Sequence, residues 1–172
     1  MYDIEEMKLL LVNSSTKEFL AALPSFDMQC QDKYGNNILH YYIKLCANSV
    51  PPATVNDWKL IIKSLLEVGV SIEEKQQKGN GHTPLHMAVS CHLQDITSYL
   101  IELKADVNAT NSNGMPILFT ALMSNDEETI DYFIDVLLKS GADENFKLPD
   151  GETVKEFALR ISNQDYAKHF HA

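Results

Sequence analysis

The sequence predicts an all-α solenoid of stacked helix pairs, and three observations support this fold class. A polar turn with a glycine, followed by an apolar run, recurs four times in register along the 172 residues. Between the turns, apolar residues fall at i, i+3, i+4 and i+7, as in Ile96, Tyr99, Leu100 and Leu103, which is one face of a helix. A second marker, a Leu-Leu or Leu-Ile pair followed by a turn, ends each of the first three units. Such units bury their apolar faces by stacking on one another.

The turns divide one domain into five parts. We expect an N-terminal cap at 1–31, a repeat with an inserted loop at 32–77, repeats at 78–110 and 111–147, and a C-terminal cap at 148–172. The middle unit spans 33 residues, and most of the excess in the first repeat lies at 47–54. Those residues are small or polar and include a Pro-Pro pair, which predicts a loop between the two helices. A shorter extension lies at 124–128 in the third repeat.

Helix ends are marked by local chemistry. The first helix of each pair is predicted to begin at Asn37, Thr83, Pro116 or Thr153. Gly69 and Gly141 follow the second helix of two repeats, where a left-handed residue is favoured. Lys104 occupies the equivalent position in the middle repeat. It should cost about 1 kcal/mol unless that turn closes differently. The terminal caps are each predicted to hold two short helices, at 4–12 and 16–23 and at 154–160 and 164–171.

The segment from Thr83 to Ala88 matches in full the T-P-L-H-x-A signature of the ankyrin repeat family, and residues 104–109 resemble its connecting hairpin. The chain therefore resembles ankyrin-repeat proteins over residues 32–160. The resemblance implies about three full repeats joined by short β-hairpin loops. It also implies that the signature histidines, His40 and His86, hydrogen-bond the hairpin backbone. Finally, it implies a protein-binding function with no catalytic residue and no cofactor.

In the family this chain resembles, partners contact the hairpin tips and the exposed ends of the inner helices. The corresponding tip positions are Lys33, Tyr34, Asn36, Asn80, His82, Ser112, Asn113, Met115, Asp150 and Glu152. The corresponding helix ends are Lys44, Ser90 and Met123. Aromatic residues and methionine are enriched at interface cores, which singles out Tyr34, Met115 and Met123.

The net charge of −10 arises from 14 Lys and Arg against 24 Asp and Glu. Such a field repels phosphate backbones and anionic lipids, so neither nucleic acid nor a membrane is expected as a partner. It favours a basic protein surface, unless it serves only solubility. Cys30, Cys46 and Cys91 are odd in number and widely spaced, which favours reduced thiols in the cytoplasm over a disulfide framework. The free protein is expected to be a monomer. The acidic start of the sequence predicts no secretory signal, and no apolar stretch approaches the ~20 residues of a membrane span.

Metal binding and catalysis are alternative roles for several of the histidines, cysteines and carboxylates. A zinc site could draw on His82, His86, His92 and Cys91, but zinc needs four ligands in a tetrahedral shell, and a structural role is favoured for the signature histidines. A cysteine nucleophile with His40 or His86 as base lacks any recognisable motif, so no enzyme and no metal are expected. The acidic residues of the third repeat predict either a solvated helix face or a docking patch; they are Asp126, Glu127, Glu128, Asp131 and Asp135.

Two aromatic residues depart from the family pattern. Tyr42 stands where the family has a small alanine, so it should splay the helices or displace a neighbour, and the inserted loop is a candidate compensation. Trp58 follows that loop and is either a buried anchor for it or an exposed contact residue.

The sequence thus predicts a module that masks or recruits a protein partner. One version is an inhibitor of immunity type that neutralises a basic toxin by occlusion. The alternatives are a regulatory or host-directed adaptor, as in bacterial or viral effectors, and, third, an enzyme with an unrecognised Cys/His site.

Overall fold

The computed structural model describes residues 1–48, 53–124, 127–161 and 165–170. In these residues the helices are α1 Ile4–Asn13, α2 Thr16–Ala22, α3 Ile38–Cys46, α4 Trp58–Glu67, α5 Pro84–Ser90, α6 Gln94–Glu102, α7 Ile117–Leu122, α8 Glu127–Lys139 and α9 Val154–Ile161. Short 3-10 segments occupy Leu23–Ser25, Ala53–Asp57 and Asp165–His169.

The helices stack as pairs in two rows. An inner row runs through α1, α3, α5, α7 and α9, each helix contacting the next, and α4, α6 and α8 each pack on the inner helix that precedes them. A single buried apolar cluster extends through all the pairs and includes Ile43, Val89, Leu100 and Phe133. The fold is therefore the all-α solenoid that the sequence predicts. Within the described ranges the predicted hairpins are held by isolated bridges, such as Thr110 with Pro116 and Lys147 with Thr153.

Capping residues set the helix starts where the sequence predicts them. The Thr83 hydroxyl accepts the His86 backbone N–H, and Pro84 occupies the first helical turn. Asn37 caps α3 in the same way. At the C-terminus the prediction of a second α-helix at 164–171 is wrong, because the described part, Asp165–His169, is a 3-10 turn; residues 164 and 171 lie outside the described chain. Side-chain contacts of His169 fix this short segment on α8.

Lys104 adopts the left-handed conformation that its position requires, with a φ of +71°. Its backbone N–H bonds to the Ile101 carbonyl at 2.9 Å, just as the N–H of Gly69 bonds to Leu66 at 3.0 Å. The middle turn therefore closes like its neighbours, with Lys104 in a left-handed conformation that is unfavourable for a residue with a side chain. His92 is also left-handed, with a φ of +59°, although no sequence pattern predicts this conformation at its position.

Tyr42 is fully buried, and the end of the inserted loop packs over it. The Tyr42 hydroxyl donates to the Thr54 carbonyl at 2.9 Å, and the Thr54 hydroxyl donates to the Leu11 carbonyl at 2.7 Å. The first repeat thus accommodates the large ring by joining α3, the loop end and α1. Residues 49–52 of that loop lie outside the described chain, as do residues 125 and 126 of the shorter extension.

Trp58 is partly buried and contacts the next repeat. Its ring meets Tyr99 edge to face, with centroids 5.4 Å apart. Neither predicted role describes it fully, because it packs the outer helices α4 and α6 together.

Candidate functional site

The signature histidines fix the tips on the inner helices. His40 and His86 are both fully buried. His40 donates Nε2–H to the His82 carbonyl at 2.9 Å, and His86 donates Nε2–H to the Met115 carbonyl at 3.3 Å. Each histidine therefore holds the tip of the following repeat, which confirms the backbone hydrogen bonding that the resemblance implied. Burial lowers the pKa of His40 to about 4 and that of His86 to about 3, so both rings are neutral near pH 7.

The tips and inner helices enclose two adjoining cavities. The first, of about 450 Å³, lies between the first two repeats and is lined by Lys33, Tyr34, Lys44, Gln76, Lys78, Gly79, Asn80, His82, Met87, Ser90 and Cys91. The second, of about 550 Å³, is lined by Asn80, His82, Ser90, His92, Asn111, Asn113, Met115, Phe119, Thr120, Met123 and Ser124. Because the two share Asn80, His82 and Ser90, they form one continuous surface, which we call the inner groove.

Most of the predicted contact residues line the inner groove. Those it brings together are Lys33, Tyr34, Lys44, Asn80, His82, Ser90, Asn113, Met115 and Met123. Ser112 is exposed on the tip beside it and bonds to Asn80 through the backbone. Asp150 and Glu152 lie on the last tip, outside the groove lining, where Glu152 pairs with Arg160 at 2.8 Å.

The prediction that Asn36 is a surface contact is wrong. Its side chain is only 2% exposed. The amide donates to both Asp32 carboxylate oxygens at 3.1 Å and accepts from Gln76. Asn36 is therefore part of the scaffold that shapes the first tip. Burial alone raises the pKa of Asp32, but hydrogen bonds from Asn36 and Tyr34 outweigh it and lower that pKa.

Several groove residues were missed. Phe119 and Thr120 lie on α7, where Ile117, Leu118, Ala121 and Leu122 face the core. The helical period therefore places Phe119, Thr120 and Met123 on the opposite face, a signal that was present in the sequence. Lys78 and His92 also line the groove, and the left-handed backbone of His92, which sequence periodicity does not reveal, sets its direction.

The groove differs in charge from the rest of the chain. Its described lining contains Lys33, Lys44 and Lys78 and neither Asp nor Glu. His82 adds no cation near pH 7, because burial and then the charge of Lys44 lower its pKa. The excess of acidic residues over basic ones therefore lies on other surfaces.

The acidic residues of α8 hold the C-terminal segment. His169 contacts Asp131 through Nε2 at 2.8 Å and Asp135 through Nδ1 at 2.6 Å, and Lys168 pairs with Asp131. The pKa of each of these carboxyls is lowered by such hydrogen bonds. The side chains of Asp126, Glu127 and Glu128 lie outside the described part of the chain. Asp131 and Asp135, the two residues of the acidic cluster whose side chains are described, are thus engaged in intramolecular ion pairs.

Nucleophilic and metal chemistry finds little support in the described geometry. Burial raises the pKa of Cys46 to about 11 and raises the pKa of Cys30 and Cys91, so all three thiols stay protonated near pH 7. His82 stacks on His86 with centroids 5.4 Å apart, and the nitrogens of His86 are already occupied by Thr83 and Met115. In the described residues, no group of three or more His, Cys, Asp or Glu side chains is arranged so that it could hold a metal ion.

These features define a repeat protein with a groove along its inner helices and tips. The family model for ankyrin repeats in three copies matches residues 53–147, more than half of the chain, so the chain belongs to the ankyrin-repeat family. Its repeats make it a protein-binding module. A human relative, protein phosphatase 1 regulatory subunit 27, is 43% identical over 53 residues, which cover 31% of this chain and 33% of the relative. The match thus spans about a third of that relative's length. None of the described helices is long and apolar enough to cross a membrane.

Proposed function

We propose that this protein binds a segment of a partner protein along the inner groove and regulates the partner by masking that segment. The observation that carries the proposal is the continuity of the groove over the repeats we assign to 32–77, 78–110 and 111–147. Tyr34 at one end and Met123 at the other are 59% and 55% exposed, and such side chains suit interface anchors. Because His40 and His86 hold the tips, little ordering entropy is lost on binding.

A regulatory role without catalysis is favoured by two observations. The human relative, of which this chain matches about a third, is named as a regulatory subunit. The partly buried thiols also stay protonated near pH 7, because burial raises the pKa of each, and they are therefore poor nucleophiles. We infer masking rather than recruitment because the proposed contacts lie mainly along the inner groove. The three unpaired cysteines support a cytoplasmic setting, and we infer a monomer when the protein is free.

The contact set we propose omits Asn36 and adds Lys78, Phe119 and Thr120. Ser112, Asp150 and Glu152 would extend the contact for a longer partner. The earlier expectation of a basic toxin is not retained, because the described groove lining has no carboxylate to meet a basic surface. Net charge is a property of the whole chain and does not describe the groove.

Photo-cross-linking from defined positions tests this proposal. A benzophenone side chain is placed at Asn80, Ser90 or Asn113 in the groove, or at the exposed outer positions Lys63 and Glu102 as matched controls. In extract from the native source, we expect one partner to cross-link from the groove positions and not from the controls. Adducts from the outer positions alone would refute the proposal. Loss of the purified partner's activity on stoichiometric addition of the chain would then distinguish masking from recruitment.

A further inference from the structure

The first half of the inner groove concentrates positive charge. Lys33 lies on the first tip, Lys78 on the second and Lys44 near the end of α3, and all three line the same cavity of about 450 Å³. The Lys78 ammonium donates to the Lys33 carbonyl at 2.9 Å, which joins the two tips and fixes that charge in place. The Lys33 ammonium lies 5.0 Å from the centre of the exposed Tyr34 ring.

These ammonium groups are not neutralised within the described chain. None of the three forms an ion pair there, whereas Lys8, Lys63 and Lys139 each pair with a carboxylate. A groove with three such cations, in a chain whose net charge is −10, is positive where the surrounding protein is negative. Electrostatic complementarity would therefore select a partner surface of negative charge.

The second half of the groove has different chemistry. Met115, Phe119 and Met123 supply apolar surface there, beside neutral polar groups such as Asn113. Methionine side chains adapt to apolar side chains of varied shape. The groove therefore presents cations at one end and an apolar surface at the other.

We propose that the segment bound in the inner groove is an acidic peptide of the partner protein, with Asp or Glu side chains at Lys33, Lys44 and Lys78 and an apolar side chain against Met115 and Met123. This proposal rests on the proposed function, since it names the chemistry of the segment that the groove receives. It also gives the segment a direction, with the acidic part at the first repeat and the apolar part at the third.

A nucleic acid is disfavoured as the occupant although it too is anionic. Its backbone continues beyond the groove, where it meets the negative field of the remaining surface, and that repulsion acts over about 10 Å at an ionic strength of about 0.1 M. A short acidic peptide can confine its charges to the groove. The apolar half also matches a peptide side chain better than a phosphate.

Selection from a random peptide library tests the proposal. Displayed peptides of roughly 12 residues, which extend over roughly 40 Å, are selected against the full-length chain. A parallel selection uses the groove variant Lys33→Glu, Lys44→Glu, Lys78→Glu. The control variant Lys17→Glu, Lys59→Glu, Lys63→Glu makes the same change in net charge at exposed positions outside the groove. Thermal melting checks that each variant folds, and the triple Lys→Gln groove variant serves if the Glu variant does not.

We expect peptides selected on the unmodified chain and on the control variant to be rich in Asp and Glu with a separate apolar residue. For a selected peptide made with a fluorescent label, the groove variant should weaken binding about tenfold or more. Each substitution replaces an attraction between a lysine and a peptide carboxylate with a repulsion between two carboxylates. The control variant should change the affinity by less than about threefold.

Other outcomes would overturn the proposal in distinguishable ways. Groove-dependent peptides that are neutral or basic would contradict the acidic segment and leave the groove function intact. Peptides that bind the groove variant as tightly as the unmodified chain would contradict the placement of the acidic segment in the inner groove. A labelled single-stranded oligonucleotide that binds more tightly than the peptides, through the same lysines, would identify a nucleic-acid partner instead. The cross-linking experiment above judges the proposed function separately.

Discussion

Replacing Tyr42 with phenylalanine tests how the first repeat accommodates its inserted loop. The substitution keeps the fully buried ring and removes only the hydroxyl that donates to the Thr54 carbonyl at 2.9 Å. The carbonyl then loses that partner in a buried site, where an unmet hydrogen bond costs about 1–3 kcal/mol. Thr54 also bonds to Leu11, so the loss should loosen the contact between the loop end and α1. The larger change Tyr42→Ala should cost about 3–5 kcal/mol.

Urea unfolding followed by circular dichroism measures both effects. Tyr41→Phe is the matched control, because that half-buried tyrosine lies next in the chain and its hydroxyl bonds to no described residue. The control should shift the free energy of unfolding by no more than about 0.5 kcal/mol. A Tyr42→Phe protein as stable as the control would refute the role of the hydroxyl. A Tyr42→Ala protein more stable than the parent would refute the idea that the loop compensates for the large ring.

Three further predictions concern the scaffold. Gly35→Ala should cost more than Gly79→Ala in thermal melting, although both have a φ near +75°, because a Cβ at Gly35 would lie 2.7 Å from the Gln77 backbone nitrogen and one at Gly79 meets nothing within 4 Å. We expect about 1 kcal/mol for Gly79→Ala and at least about twice that for Gly35→Ala, and equal costs would contradict the close approach of the tips. Because the pKa values of His40 and His86 are lowered in the folded chain, the unfolded chain binds more protons than the folded chain below the ordinary histidine pKa of about 6.5. Stability should therefore be full above about pH 6.5 and fall as the pH drops towards about 4, by about 1.4 kcal/mol per pH unit for each histidine, and a His40→Gln, His86→Gln protein with the same slope would refute this. Iodoacetamide should alkylate Cys46 at least about tenfold more slowly than free cysteine near pH 7, since its pKa is raised to about 11; a rate equal to that of free cysteine would contradict its burial.

The fold could be predicted largely because ankyrin repeats follow local rules. Thr83 and Pro84 start a helix through capping chemistry that depends on adjacent residues alone, and the structure places the start there. The left-handed Lys104 followed from alignment of three similar turns. The C-terminal segment was misjudged, because contacts of His169 with residues far away in sequence decide its form.

The candidate site was less predictable, because exposure depends on how neighbouring tips pack. Asn36 is a residue type common in exposed loops, yet its side chain is buried and hydrogen-bonds to both Asp32 and Gln76. The local charge of the groove was hidden for a similar reason. Lys33, Lys44 and Lys78 are spread over 46 positions of the chain and meet only when two repeats stack, so a net charge of −10 gave no sign of them.

Methyl NMR of the methionines offers the most direct test of binding in the inner groove. Met115 and Met123 line the groove, whereas Met7 lies on the buried face of α1 and Met28 lies in the N-terminal segment, so one labelled sample contains both probes and controls. On addition of the cross-linked partner's segment or a selected peptide, the methyl signals of Met115 and Met123 should shift to saturation while those of Met7 and Met28 stay in place. Saturable shifts confined to Met28, or binding that leaves Met115 and Met123 unmoved, would contradict the groove as the site of binding.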